Sequence, residues 1–452
     1  MAQMLPILMF AALAMLLFSG YPVAFVLGGV GLAFAGLGIL FDAFSALQLF
    51  NLLPRIWGGI AENLILTAIP MFIFMGTMLE KSGVANDLLH CLQVLLRRVP
   101  GGLALSVTIM GTVLAATTGI VGASVVMMTL LALPVMVQRN YNKALATGTI
   151  AASGTLGILI PPSIMLVIMA DLLSKSVGNM FFAAFLPGMM LSILYFIYIY
   201  AISHLKPSLA PPLPDDVGPQ TPGALAIMVL QSFIPPVILI FLVLGSILFG
   251  WATPTEAAGV GAAGAIALAF VKRKLTWPIM KDVVERSALT GAMLFMIFLG
   301  ATAFSYVFRA LGGDDVVIGM VEGAKLSSWG ILIALMVLVF ILGFFFDWIE
   351  ITLIVLPVFA PIIELLDFGD HVAKRDVVYW FAILLAVNLQ TSFLTPPFGF
   401  ALFYMKGVAP PEVSMSHIYR GIVPFVILQV IGLSLVMMFP DIAMWLPNKL
   451  LN

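Results

Sequence analysis

The chain has 452 residues, 62% of them hydrophobic and only 9% charged, and its formal net charge is −1. Soluble globular proteins carry about 25% charged residues, so this composition excludes a separate soluble domain and indicates an integral membrane protein. The near-neutral charge, without a block of basic residues, argues against nucleic acid as a partner. Cys91 is the only cysteine in the sequence, which excludes an internal disulfide framework.

Uncharged stretches recur from the N-terminus onward, and a membrane span needs about 20 such residues. The stretch at 103–138 is longer than one span but too short for two spans and a turn. It therefore predicts a re-entrant hairpin of two half-helices, which we call hairpin one. Its bend is expected at the small residues 115–119 and 122–124.

A Pro-Pro pair interrupts the next apolar stretch, near 144–173, within the string SGTLGILIPPSIM that begins at Ser153. Proline lacks an amide donor and clashes with the carbonyl four residues back, so we expect a broken helix at membrane depth. The break frees carbonyl oxygens that, together with Ser and Thr hydroxyls, suit a hard cation such as Na⁺. The start of the second half-helix directs its positive dipole end toward an anionic group. The alternative interpretation is that the prolines merely kink the helix.

The proline-rich segment 206–222 divides the chain into a first repeat, 1–205, which includes scaffold helices, and a second repeat, 223–452. The string TLLALP at 129 recurs as TLIVLP at 352, and IPPS at 160 recurs as TPPF at 395. Matched segments in two halves are typical of transporters built from inverted-topology repeats. Chance similarity between leucine-rich segments is the alternative.

The second repeat also places carboxylates and a Pro-Pro pair in apolar surroundings. Asp347 and Glu350 lie between uncharged stretches, where ionisable side chains are costly and usually functional. The repeat aligns Asp347 with Ser124, so both are expected near hairpin bends; an interfacial loop that exposes both acids to water is the alternative. Further on, the string NLQTSFLTPPFGF, which begins at Asn388, predicts a second broken helix near 377–408.

Several long strings resemble those of the large membrane subunit of the tripartite ATP-independent periplasmic (TRAP) transporters, the DctM family. They are GYPVAF at 20, IPMFIFMG at 69, KALATGTIAASGTLGILIPPSI at 143, GWATPTEAAGVGA at 250, LGATAFSYVFRALGGD at 299 and FFFDWIEITLIVLP at 344. The resemblance covers essentially the whole chain. It implies an all-α polytopic membrane protein with two inverted-topology repeats, each with a re-entrant hairpin and a discontinuous helix. It also implies an elevator-type division into a scaffold and a transport domain.

The resemblance carries expectations about function as well. The resemblance implies a sodium-driven symporter that imports organic acid anions, such as C4-dicarboxylates or 2-oxo acids. A periplasmic substrate-binding protein is expected to deliver the anion. A small four-helix membrane subunit accompanies the large one. We therefore expect Na⁺ as the coupling ion, no organic cofactor and no transition metal. The expected location is the lipid bilayer of the bacterial inner membrane, which the chain crosses several times.

Transferred onto this sequence, the family pattern places a second hairpin, hairpin two, near 329–363, with its bend at Gly343, Asp347 and Glu350. The residues expected to bind sodium are Thr117, Ser124, Ser153, Gly154, Thr155, Gly343, Asp347, Asn388, Gln390 and Thr391. Those expected to bind the substrate are Thr118, Gly119, Pro161, Pro162, Ser163, Glu350, Ser392, Thr395, Pro396 and Pro397.

Three other functions compete with this one. A stand-alone sodium-coupled dicarboxylate or ion transporter of similar fold would need no partner subunits. An intramembrane enzyme would need a constellation such as His-Glu-x-x-His, which the sequence lacks, so no catalytic residue is expected. A channel would not show saturable, sodium-coupled uptake.

Overall fold

The computed structural model describes residues 4–118, 121–214, 217–323, 325–396 and 399–450, and for residues 115–118 and 321 it describes the backbone only. All regular structure within these ranges is helical. Ten helices or joined helix pairs in this part of the chain are long and apolar enough to cross a membrane. The chain is therefore an all-α polytopic protein.

Capping side chains set several helix starts in the first half of the chain. Its helices are α1 (Leu5–Leu17), α2 (Val23–Leu40), α3 (Leu52–Ile56), α4 (Ala68–Lys81), α5 (Val84–Leu95), α6 (Gly102–Thr118), α7 (Val121–Gln138), α8 (Lys143–Thr155), α9 (Ile164–Leu172) and α10 (Val177–Leu205). The Asn142 side chain accepts hydrogen bonds from the Ala144 and Leu145 amides at the start of α8. Ser176 caps α10 by accepting from the Asn179 amide. Such caps give partners to amides that the first helical turn leaves unpaired.

The second half of the chain, from Pro222 onward, is helical as well. Its helices are α11 (Pro222–Ser232), α12 (Ile234–Leu248), α13 (Pro254–Val271), α14 (Trp277–Ala310), α15 (Gly313–Gly323), α16 (Ser328–Leu342), α17 (Trp348–Leu365), α18 (Val377–Leu394), α19 (Phe400–Val408), α20 (Met415–Met438) and α21 (Asp441–Leu450). At the start of α13, Thr253 accepts from the Glu256 amide and the Glu256 carboxylate accepts from the Thr253 amide. This reciprocal pair is a capping box, which fixes where the helix begins.

Each half contains a helical hairpin followed by an interrupted helix. Hairpin one consists of α6 and α7, and hairpin two consists of α16 and α17. With 15 residues, α16 is about 22 Å long, shorter than the roughly 30 Å hydrocarbon core, so it cannot span alone. The first interruption separates α8 from α9, with a 3₁₀ turn at Leu156–Ile158, and the second separates α18 from α19.

Close helix crossings at glycine hold two groups of helices together. In the scaffold group (α1–α4 and α11–α14), a Cβ atom at Gly300 would lie 2.4 Å from the Ala24 carbonyl oxygen. In the hairpin group (α6–α10 and α16–α20), a Cβ atom at Gly148 would lie 2.1 Å from the Gly421 carbonyl oxygen. Only glycine allows such approach, which is how membrane helices pack without a hydrophobic driving force. The short helices α5 and α15 connect one group to the other.

Candidate functional site

Hairpin one packs tightly around the end of α8. A Cβ atom at Gly111 of α6 would lie 2.8 Å from Ser153 Cβ, and one at Gly154 would lie 2.5 Å from Val125 Cγ2 of α7. The fully buried Ser153 hydroxyl donates to Thr108 Oγ1 of α6 at 3.3 Å. Both half-helices of hairpin one therefore contact α8 beside its interruption, and we call this arrangement clasp one.

The other residues predicted in hairpin one are less fully described. Thr117 and Thr118 are the last residues of α6, but their side chains lie outside the described ones, as does the whole of Gly119. Ser124 is buried on α7, 2% exposed. The backbone thus places Thr117 and Thr118 at the end of the first half-helix, where the small-residue pattern predicts the bend.

Side-chain hydroxyl groups donate hydrogen bonds to some of the backbone carbonyl oxygens next to the first interruption. The Ser163 hydroxyl donates to the Ile158 carbonyl at 2.6 Å, and the Thr155 hydroxyl donates to the Ala152 carbonyl at 2.9 Å. Pro161 and Pro162 lie between Ile158 and Ser163 in the chain, and both are buried. Because a proline has no N–H group, neither can continue the helical hydrogen-bond pattern.

Hairpin two contacts α18 through an equivalent arrangement, clasp two. A Cβ atom at Gly343 would lie 1.9 Å from Ser392 Oγ and 2.3 Å from Ser392 Cβ, so α16 ends directly against α18. The buried Asn388 side chain donates from Nδ2 to the Met336 carbonyl of α16 at 2.7 Å. A side-chain amide has a separate donor and acceptor, so this bond leaves the acceptor capacity of the Asn388 amide oxygen unused.

One buried side chain of clasp two lacks protein partners. Neither Gln390 Nε2 nor Gln390 Oε1 has a hydrogen-bond partner among the described residues, and the side chain is fully buried. Buried amides almost always have partners, so this group calls for a bound ion or water molecule. The neighbouring Thr391 donates to the Val387 carbonyl and Thr395 to the Thr391 carbonyl, at 3.3 and 2.7 Å.

The second Pro-Pro pair is only partly described. Pro396 is exposed, and Pro397 lies outside the described residues. Gly399, which precedes α19, is buried: a Cβ atom there would lie 2.6 Å from the Phe393 carbonyl oxygen. The chain therefore folds back closely on the end of α18 before α19 begins.

Asp347 and Glu350 together form the start of α17. The Asp347 carboxylate accepts from the Trp348 amide at 2.8 Å, and the Glu350 carboxylate accepts from the Asp347 amide at 3.2 Å. This reciprocal pair is a capping box, a role that differs both from an intramembrane ligand and from a water-exposed loop. The two acids fix the bend of hairpin two, and each keeps further oxygen lone pairs for a ligand.

A small cavity of about 110 Å³ lies where the two hairpin bends meet. Its lining includes Gly122 of hairpin one, Asp347 of hairpin two, Tyr404 of α19 and Thr290 of the scaffold helix α14. The bends of both hairpins therefore meet at this cavity, and Thr290 and Tyr404 are additional lining residues that the repeat pattern could not indicate.

A larger cavity of about 430 Å³ lies between the scaffold group and the hairpin group. Its lining includes Arg55 and Arg309 from the scaffold group and Asp171 from the hairpin group. The Arg55 guanidinium stacks over the Tyr306 ring, 4.7 Å from its centroid, and Asp171 accepts from Asn63 Nδ2 at 2.6 Å. The cavity therefore has two cations on one wall and one hydrogen-bonded carboxylate on the other.

Arg309 links the two groups directly. Its Nη2 atom donates to the Pro357 carbonyl of hairpin two at 2.6 Å, and its Nε atom lies 3.8 Å from the Asp314 carboxylate at the start of α15. Burial raises the pKa of the Asp314 carboxyl, the Arg309 guanidinium opposes that rise, and Asp315 adds to it. Arg309 therefore lines the cavity and contacts hairpin two at the same time.

Comparison with known proteins agrees with this architecture. The sequence profile of the tripartite ATP-independent periplasmic transporter, DctM component, matches residues 10–442. The C4-dicarboxylate TRAP transporter large permease protein DctM of Pseudomonas aeruginosa is 30% identical over 86% of this chain and 88% of its own length. The ectoine TRAP transporter large permease protein TeaC of Halomonas elongata is 27% identical over 97% of this chain and 98% of its own.

Among solved structures, the YdaH transporter of Alcanivorax borkumensis, described as having an unusual topology, superimposes with a TM-score of 0.63. The match covers 90% of each chain at 13% sequence identity, so it supports the assignment of the fold alone. The family profile, by contrast, spans nearly the whole sequence. This chain therefore belongs to the DctM component family of the TRAP transporters and is a multi-pass protein of the bacterial inner membrane.

Proposed function

We propose that the chain is the large membrane subunit of a sodium-coupled symporter that imports organic acid anions. As a TRAP large permease it works with a small permease subunit and a periplasmic binding protein; we further propose that the small subunit has four helices and that the binding protein delivers the anion. The observation that carries the proposal is the pair of clasps, in which each hairpin ends against an interrupted, oxygen-rich helix.

The chemistry of the clasp oxygens supports sodium binding there. Na⁺ prefers carbonyl, hydroxyl and amide oxygens, and unwound helix ends at membrane depth supply them. In clasp one Ser153, Gly154 and Thr155 offer such oxygens, and in clasp two Asn388 and Thr391 do. The unpartnered amide of Gln390 also favours a ligand in clasp two.

Coupling between sodium and an anion has an electrostatic reason. Asp347 lines the small cavity between the hairpin bends, and two negative charges about 4 Å apart at an effective dielectric constant near 20 repel by about 4 kcal/mol. An organic acid could not share this cavity with an ionised Asp347 alone. A sodium ion in clasp two, whose Gly343 lies in the same hairpin bend as Asp347, would offset the repulsion, so anion binding would require sodium.

An elevator movement would carry the loaded site across the membrane. The hairpin group would slide against the scaffold group, while α5 and α15 would act as the connecting arms. The 430 Å³ cavity between the groups would then be the route by which an anion enters, because Arg55 and Arg309 attract it from the scaffold side.

The relatives and the cavity support the proposed substrate class. Large permeases of a C4-dicarboxylate transporter and an ectoine transporter are similar to this chain, and both solutes carry carboxyl groups. A carboxylate is also the ligand that guanidinium groups bind with paired hydrogen bonds. We therefore propose a small carboxylate, either a C4-dicarboxylate, a 2-oxo acid or a similar compound.

Reconstitution of the complete complex in proteoliposomes tests this function. Uptake of radiolabelled organic acids, with the cognate binding protein outside, is expected to be saturable and to fall at least tenfold without an inward sodium gradient. Equal uptake with and without the gradient would refute sodium coupling. Full uptake without the binding protein and the small subunit would instead support the stand-alone transporter.

Removing one clasp ligand is expected to weaken sodium binding selectively. In Ser153→Ala and in Asn388→Ala the sodium concentration for half-maximal uptake should rise at least fivefold, because each variant loses an oxygen that the site needs. Ser434→Ala is the matched control, since this exposed hydroxyl donates only within α20, to the Val430 carbonyl. Sodium affinity unchanged in both clasp variants would show that the ion sites lie elsewhere.

A further inference from the structure

An apolar crevice separates the scaffold helix α1 from hairpin two. Its main part has a volume of about 470 Å³ and lies between Phe10 of α1, Met320 of α15, and Leu342 and Val355 of hairpin two. A narrower part of about 70 Å³ continues along α1 and shares Phe10, Leu342 and Val355 with the first. The two parts adjoin each other along α1, and no function proposed above uses them.

The crevice has a defined mouth and floor. At the mouth lie Pro6 at the start of α1 and Leu326, which connects α15 to α16. At the floor, the Phe18 ring contacts the rings of Phe345 and Phe346 at the bend of hairpin two, with centroids 5.1 and 5.7 Å apart. Between these ends α1 has 13 residues, about 20 Å at 1.5 Å per residue.

These dimensions are close to those of one leaflet of a bilayer, since half of a roughly 30 Å hydrocarbon core is about 15 Å. Because α16, with 15 residues, is too short to span alone, we expect the bend of hairpin two to lie inside the membrane. The exposed Lys325 stands next to Leu326 at the mouth, where it can meet a lipid phosphate. The crevice therefore runs from the depth of the headgroups toward the middle of the membrane.

Water cannot fill such a space, because a buried water molecule needs two to four polar partners and the residues that line both parts are all apolar. We propose that the crevice is a binding site for a single acyl chain of a bilayer phospholipid.

The position gives the bound chain a consequence for hairpin two. One side of this hairpin faces α18 in clasp two, and the opposite side, which includes Ile354 and Val355, faces the crevice. Along the crevice an acyl chain separates hairpin two from α1, so in that region the two can move past each other without breaking protein contacts. The ring contacts of Phe18 with Phe345 and Phe346 are the ones that must change. The bound acyl chain thus allows the hairpin group to move against the scaffold group at this boundary.

Photolabelling tests the proposal. The large subunit with its small subunit is placed in nanodiscs that contain phosphatidylcholine with a diazirine near the end of one acyl chain. After irradiation, adducts are mapped by peptide mass spectrometry. Val355 is only 2% exposed in the folded chain, whereas Phe241 of α12 is 70% exposed to the surrounding lipid. We expect adducts at Phe10, Leu342 and Val355 at frequencies comparable to that at Phe241.

Filling the crevice supplies the decisive comparison. In Val355→Trp, adducts at Phe10 and Leu342 should fall at least fivefold while the Phe241 adduct stays unchanged. If this variant does not yield a monodisperse complex, Ala14→Leu, which narrows only the lower part, should lower labelling at Leu342. The absence of crevice adducts in the unmodified complex overturns the proposal. So does labelling that appears only when the small subunit is omitted, because that subunit would then be the occupant.

Discussion

The variant Gly343→Ala is expected to abolish most sodium-driven uptake, with at least a tenfold loss. The added methyl group would lie 1.9 Å from Ser392 Oγ and 2.3 Å from Ser392 Cβ. Rotation of the Ser392 hydroxyl relieves only the first clash, since the backbone fixes the Cβ atom. Hairpin two must therefore move away from α18, at an overpacking cost of about 1–3 kcal/mol. Uptake in proteoliposomes and the melting temperature of the complex measure the two effects.

A double variant separates this clash from a general loss of stability. Gly343→Ala with Ser392→Gly removes both clashing atoms, so its uptake should return to that of Ser392→Gly alone. Non-additivity of this kind is the signature of two residues in contact. The matched control is Gly259→Ala on α13, where no heavy atom lies within 4 Å of the new methyl group. Normal uptake by Gly343→Ala would mean that hairpin two and α18 do not touch at this position.

The sequence could predict where the chain bends and breaks because these features depend on local chemistry. Proline removes an amide and glycine removes a Cβ atom, so the Pro161-Pro162 pair and the small residues near Gly122 mark irregular backbone without knowledge of the fold. The length of the uncharged stretches then indicated which segments could not span alone. Clasp one, by contrast, also involves Thr108 and Gly111, which look like ordinary residues of an apolar helix.

Interactions between distant segments could not be predicted. Arg55 is a single charge in an ordinary connecting segment, and its position beside Tyr306 depends on the packing of α14 against α3.

The role of Asp347 was difficult to predict for a different reason. An acid followed three residues later by Glu350 is a capping-box pattern. The surrounding apolar residues made a ligand role more prominent than this cap. Both roles are compatible, because a cap uses only part of a carboxylate's acceptor capacity.

Loss of the Arg309 charge is expected to weaken binding of the organic anion rather than binding of sodium. In Arg309→Met, the apparent affinity for the organic acid should fall ten- to a hundredfold, because a hydrogen bond to a charged group contributes about 1.5–3 kcal/mol. The sodium concentration for half-maximal uptake should change less than twofold, since neither clasp includes this side chain. Uptake measured over a matrix of substrate and sodium concentrations gives both values.

Arg309 also donates to the Pro357 carbonyl, so a structural role must be separated from attraction of the anion. Attraction through solvent weakens with ionic strength, as the screening length falls from about 10 Å at 0.1 M to about 3 Å at 1 M. Uptake by the unmodified complex at low substrate concentration should therefore decrease with added choline chloride, and uptake by Arg309→Met should not.

Arg309→Lys, which keeps the charge, should retain the salt dependence. Arg420→Met, at an exposed position of α20, is the control. Equal loss of sodium and substrate affinity in Arg309→Met, with unchanged salt dependence, would assign Arg309 to the contact with hairpin two alone.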